Sequence, residues 1–290
     1  MNIIRIIPLS RYLSLLSLIF TLSSCSLMSP DGGGSRSDAP VVLDIGHYLN
    51  GSRGTGAMSP VMRDGSRLEE TVFWYKYSRH VKKVVTRAGY NCIVINRGCA
   101  PTSPELIPVA KSTPIIQLNH PDTRGINGRP ARYPSHYHPE NIAAGMVSAD
   151  YAIWRNASCV VFLHQDSSSN GWQRAYKSSV FHNVRNGRPL AHSIASSLNT
   201  RVLGDTQGKM PNHGHLCTTQ SRSNPDLGGA AWLNTCDSSH IPAVVVEGSM
   251  LNNPDHAYWL AQEKNAIQFA QAIGEGIVAY LQANKKVGSR

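Results

Sequence analysis

Apolar positions along the chain fall into two periods. Val41-Val42-Leu43-Asp44-Ile45 is a short run rich in β-branched residues and closed by Gly46, which reads as a buried strand. From Glu70 to Ala88 the apolar residues Phe73, Tyr77, Val81, Val84 and Ala88 recur at steps of three and four, with Lys76, Arg79, Lys82 and Lys83 elsewhere. That spacing predicts an amphipathic helix ending at Gly89. Tyr90 to Asn96, Val160 to Leu163 and Ala243 to Val246 predict three further strands, the last entered through Ile241-Pro242. A long helix is expected from about Ala261 to Leu281, with Ile267, Ala270, Ile273, Ile277 and Tyr280 on one face. Strands apolar on both sides belong to a largely parallel sheet. The alternation therefore predicts an α/β fold, a mostly parallel central sheet with helices on both faces. Gly98 to Asn141 and Gly204 to His240, rich in Pro, Gly, Asn, Ser and His, break the rhythm and are expected to be long loop insertions, functional or disordered.

The N-terminus has a pattern of its own. Arg5 and Arg11 lead an apolar run, Tyr12 to Thr21, too short to span a bilayer, so it reads as a secretory leader. Leu22-Ser23-Ser24-Cys25 follows and resembles the bacterial lipobox, which implies cleavage after residue 24 and acylation of Cys25. Residues 25–40, with Asp-Gly-Gly-Gly-Ser-Arg-Ser-Asp, cannot bury apolar surface and are expected to act as a flexible tether. Residues 41–290 then form one catalytic domain. The expected location is the cell envelope, held by a lipid anchor. With Ser26 rather than Asp after the cysteine, a Gram-negative cell would sort the protein to the outer membrane, facing the periplasm.

The formal charge of +10 loses Arg5 and Arg11 with the leader and still suits an anionic envelope polymer or acidic membrane surface. No zinc-finger, RNP or basic-helix pattern accompanies it, and a secreted route excludes nucleic acid as a partner. Beyond Cys25 stand five cysteines, at 92, 99, 159, 217 and 236, an odd number for an oxidising compartment, so one is free or pairs between chains. Cys159, beside Val160-Val161-Phe162-Leu163, reads as a buried small hydrophobe, and Cys217 with Cys236 is the expected bridge.

Three chemistry-bearing residues stand just past apolar strands: His47, His164 and Glu247. Ligand crevices of open α/β sheets lie at the carboxyl ends of strands, so these three can converge. Glu70 opens the first helix. Two histidines and a glutamate leave tetrahedral zinc one open position for water, and another carboxylate nearby can take a proton. Taken singly each has a blander reading, a capped or surface histidine or a glutamate placed for the helix dipole. His136 and His138, like His213 and His215, form pairs without a third ligand. Trp154, Trp172, Trp232 and Tyr133 offer stacking surfaces, though aromatic residues near helices and strands are more often core.

Asp44-Ile45-Gly46-His47 resembles the Asp-Pro-Gly-His of the zinc-dependent N-acetylmuramoyl-L-alanine amidase family (amidase type 3, with a phosphorylase/hydrolase-like fold), and the helix from Glu70 matches without a gap. Val161-Phe162-Leu163-His164 is similar to the family's strand ending Ser-Ile-His. Pro242-Ala243-Val244-Val245-Val246-Glu247, followed by Asn252-Asn253-Pro254, resembles Pro-Ala-Val-Leu-Val-Glu and a downstream Ser-Asn-Pro. The resemblance implies one zinc per chain held by His47, Glu70 and His164, with Glu247 as catalytic carboxylate. It also implies hydrolysis of the amide between N-acetylmuramoyl and L-alanine in peptidoglycan. Glu69 is adjacent and can exchange with Glu70, which is preferred because the count to Gly89 is ungapped and because it shares a helical face with Phe73 and Tyr77. Tyr48-Leu49 and Gln165-Asp166 depart from the family's Gly-Gly and Ala-Asn beside the ligand positions. Rival readings are a zinc peptidase or amidohydrolase of the same fold, acting on stem peptides or N-acyl amino acids, and a non-catalytic peptidoglycan-binding lipoprotein. No residue pattern identifies an activating protein partner.

Overall fold

The computed structural model describes residues 39–49, 56–98, 115–118, 139–167, 178–221 and 230–288. The leader, Cys25, the tether up to Asp38, Cys99, Tyr133, His136, His138 and Trp172 lie outside these residues. Seven strands, β1 (Val41–Leu49), β2 (Cys92–Gly98), β3 (Ile115–Leu118), β4 (Cys159–Asp166), β5 (Ser179–His182), β6 (Thr218–Ser221) and β7 (Ala243–Met250), form one sheet in the order β3-β2-β1-β4-β7-β5-β6. Every neighbouring pair is parallel except β5 with β7. The helices are α1 (Glu70–Arg87), α2 (Pro139–Trp154), α3 (Arg188–Arg201), α4 (Ala230–Ser238), α5 (Pro254–Ala261) and α6 (Glu263–Gly288).

The strand residues alternate between two cores. Val41, Leu43, Ile45, Val161, Leu163, Val244 and Val246 pack against α1, α3 and α6. Val42, Val160, Phe162, Ala243 and Val245 pack against α2 and α4 on the opposite face. This is the sheet covered on both sides that continuous apolar strands require. Among the described residues no helix is long and apolar enough to cross a membrane.

One helix is added to the expected set and one expectation is revised. The expected C-terminal helix is α6, and a short helix not expected precedes it, because Pro254 at the start of α5 and the Asn253 side chain, accepting from the Asp255 and His256 N–H groups, begin a helix there. Gln262 then turns extended between α5 and α6. The expected Cys217–Cys236 bridge is absent, and Cys92, Cys159, Cys217 and Cys236 are free and buried. Cys217 belongs to the core under α1, α3 and α6 and Cys236 to the core under α2 and α4, so the sheet stands between them. Burial pushes the Cys92 and Cys217 thiols up to about 12, and Cys159 and Cys236 further, which keeps these four protonated.

His256 on α5 is fully buried. Its Nδ1 accepts the Met250 N–H at 3.0 Å, which leaves the proton on Nε2, facing the Pro211 carbonyl at 2.8 Å. Burial pushes its pKa down to about 4. Between the unfolded histidine value and that figure the unfolded chain binds a proton that the folded chain refuses. Stability should therefore be intact above about pH 6.5 and fall as the pH drops toward 4, by up to about 3 kcal/mol. Urea unfolding from pH 7.5 to 5 should show this slope, flattened in His256→Gln; an equal slope in both proteins would assign it to other groups.

Candidate metal centre

β1 does not run straight through its end. Ile45 pairs with Asn96 and Tyr48 with Arg97, so Gly46 and His47 bulge out of the ladder, and His47 has φ 61°. Bulges commonly re-aim a side chain beside an active site, and backbone strain of this kind gathers at such sites. Here the bulge turns His47 toward Glu70, the first residue of α1, whose side chain is only 1% exposed. A glutamate placed for the helix dipole alone would sit in solvent.

Glu70 is gripped at both oxygens. Oε2 receives the Ala57 N–H at 2.7 Å and lies 3.2 Å from His47 Nε2. Oε1 receives the Gln165 N–H at 2.9 Å and lies 3.0 Å from His164 Nδ1. Burial alone would raise this carboxyl, but His47 and His164 beside it hold it far below the usual carboxylate range. Two missing side chains permit the packing. A Cβ on Gly46 would fall 2.6 Å from the His164 ring, and one on Gly56, where φ is +80°, would fall 2.2 Å from Glu70 Oε2.

His47, Glu70 and His164 present ligand atoms that all lie within 4.8 Å of one another, the one such group among the described residues. Two imidazole nitrogens and a carboxylate oxygen are a donor set for zinc, three protein ligands with one position left open. Glu69, the N-terminal cap of α1, is not in the group. His213 and His215 are exposed and form no such group among the described residues.

Glu247 stands directly beside the cluster. It is the register partner of His164 across β4 and β7, and in-register residues of neighbouring strands share a face. Just beyond, one extra residue on β7 bulges the ladder between His164 and Asp166. Glu247 is partly exposed in a strand otherwise buried throughout, and it is not one of the three clustered residues. The arrangement thus separates three converging donors from one adjacent carboxylate.

The sequence undervalued Trp232. From α4 its ring stacks on His164, with centroids 5.7 Å apart and planes 25° apart, while Trp154 is 44% exposed. The backbone donors of Ala57 and Gln165 carry no side-chain signal at all. Gly46 did signal itself, as the glycine before His47.

Residues 142–279 match the family model described as N-acetylmuramoyl-L-alanine amidase, a span that takes in His164, Trp232 and Glu247. Among solved structures the chain is similar to the N-acetylmuramoyl-L-alanine amidase AmiC2 of Nostoc punctiforme, at 19% identity and TM-score 0.50 over 86% of this chain and 99% of that one. It is similar to the N-acetylmuramyl-L-alanine amidase Ami1 from Mycobacterium smegmatis, at 16% identity and TM-score 0.51 over 86% and 100%. The CwlD amidase from Clostridioides difficile, solved in complex with the GerS lipoprotein, is similar at 15% identity and TM-score 0.51 over 85% and 100%. At such identities these likenesses concern the fold. Comparison with curated proteins finds no match. The family model described as N-acetylmuramoyl-L-alanine amidase thus matches residues 142–279, on a fold that nearly all of the chain shares with solved amidases.

Proposed function

We propose that the protein is a zinc-dependent hydrolase that cleaves the amide bond between the muramoyl lactyl carbonyl and L-alanine in peptidoglycan, with one zinc per chain. The observation that carries this reading is the convergence of His47, Glu70 and His164 within 4.8 Å, with Glu247 one strand away in register. Zinc bound there supplies Lewis-acid polarisation of the scissile carbonyl and lowers the pKa of water. His47, Glu70 and His164 hold the cation. Glu247 accepts a proton from the attacking water and returns it to the leaving amine nitrogen of L-alanine, which departs as the amine while the lactyl group becomes a carboxylate. No side-chain nucleophile is needed, in keeping with the four buried thiols. The basic charge that remains when Arg5 and Arg11 leave with the leader favours approach to an anionic polymer.

Residues 40–290 incubated with purified peptidoglycan should release stem peptides that begin with free L-alanine and leave glycan chains intact, as read by mass analysis. A chelator should stop the release and added zinc restore it. Cuts inside the stem peptide would transfer the site to the peptidase reading, and no cut at all to the binding-protein reading.

We further propose that Cys25 carries the lipid anchor and that the catalytic domain works in the cell envelope. The support is the order of charged, apolar and small residues before Cys25, followed by a glycine-rich tether. Two acyl chains are needed for stable attachment. Cys25→Ser should appear unprocessed or in the soluble fraction; membrane partition like that of wild type after leader cleavage would refute the anchor.

A further inference from the structure

We infer that Trp232 is a positioning residue for His164, a wall that fixes the imidazole in the orientation a cation requires. The inference rests on the reading of His164 as a metal ligand. His164 is confined from three directions. Glu70 lies 3.0 Å from Nδ1, His47 meets the ring edge-on with centroids 4.9 Å apart, and Trp232 stacks on it nearly parallel. The first two contacts join residues of the metal group itself. Trp232 belongs to no such group and holds no donor toward the cation, so its part is to set the ring plane.

The slot around Trp232 is shaped for an indole. Phe162, two residues before His164 on β4, supports the ring with centroids 5.2 Å apart. On the opposing helix α2, a Cβ at Gly145 would fall 2.0 to 2.3 Å from three indole atoms, so any side chain there would drive the ring out. Leu233 and Cys236 of the same short helix are fully buried in the core under α2 and α4, which anchors the element that carries Trp232. A ligand whose rotamer is already fixed gives up little freedom on binding, and an aromatic face favours a ring that gains positive character from a cation. Hydrogen-bonded partners that orient a ligating histidine are ordinarily worth about 10- to 100-fold in metal affinity, and a stacked wall that fixes the same ring is expected to act on that scale.

The test is zinc affinity of the purified full-length protein, measured by competition with a colorimetric chelator, together with the visible absorption of the cobalt-substituted form. Trp232→Leu should bind zinc about 10- to 100-fold more weakly and shift the cobalt bands, because the same three ligands are held in altered geometry. Trp154→Leu, on an exposed ring, should change neither. Gly145→Ala provides an independent route should Trp232→Leu fail to fold, since it pushes the indole while leaving both stacked residues in place, and it should shift the cobalt bands as well. Wild-type zinc affinity and an unshifted cobalt spectrum in folded Trp232→Leu, or in Gly145→Ala if only that variant folds, would overturn the positioning role alone. A wild-type protein that binds no zinc would overturn the ligand reading and this inference with it.

Discussion

Glu247→Gln should keep zinc and peptidoglycan binding while turnover falls by roughly two to four orders of magnitude, the scale of a lost general base. The argument is geometric. Glu247 shares a register position with His164, yet among the described residues only His47, Glu70 and His164 bring ligand atoms within 4.8 Å of one another. A carboxylate beside the cluster but outside it is placed to move protons rather than to hold the cation. Glutamine preserves volume and hydrogen-bonding shape and removes the proton acceptor, so binding and chemistry separate. The check is a pair of measurements on one preparation, metal content and rate of L-alanine-terminated peptide release. Wild-type turnover would end the assignment of Glu247 as base. Loss of zinc would instead make it a ligand and reopen the place of Glu70.

Chemistry at strand ends was legible because the β-strand signal and the site signal adjoin: an apolar run stops and His47, His164 or Glu247 begins. The fold class was legible for the same reason, since β1, β4 and β7 are nearly continuous apolar runs that only a doubly covered sheet can bury. The missed strands are short and weakly patterned. β6 is Thr-Thr-Gln-Ser with mostly exposed side chains, and β5 has four residues running antiparallel to β7, so backbone pairing rather than side-chain period places them. By contrast α3 was legible and went unread: Leu190, Ala191, Ile194, Ala195 and Leu198 repeat at helical spacing behind Pro189. The stretch from Gly204 to His240, expected as loop, contains α4, whose nine residues are too few to display a helical period, so no pattern in the sequence places Trp232 beside His164. Nor can a period announce the bulge at Gly46 and His47, since the sign of one backbone angle decides where that imidazole points. The cysteine bridge failed on a similar ground, because parity of position says nothing about which face of the sheet a loop cysteine reaches.

His164→Ala should leave a folded protein whose zinc content drops from about one per chain to near zero, since two protein ligands no longer make the three-ligand set a catalytic zinc site requires. The fold should survive because Glu70 keeps its two backbone donors, from Ala57 at 2.7 Å and Gln165 at 2.9 Å. Glu70→Ala is the harsher change. It removes the acceptor for both of those buried N–H groups and for two imidazoles at once, and an unsatisfied buried donor costs about 1–3 kcal/mol, so stability should fall along with metal. Glu69→Ala is the matched control, one residue away at the cap of α1 and outside the cluster, and should change neither zinc content nor activity. Elemental analysis beside thermal unfolding of the three variants distinguishes these outcomes. Full zinc occupancy in folded His164→Ala would strike His164 from the ligands, and a zinc-depleted Glu69→Ala with intact Glu70→Ala would exchange the two glutamates.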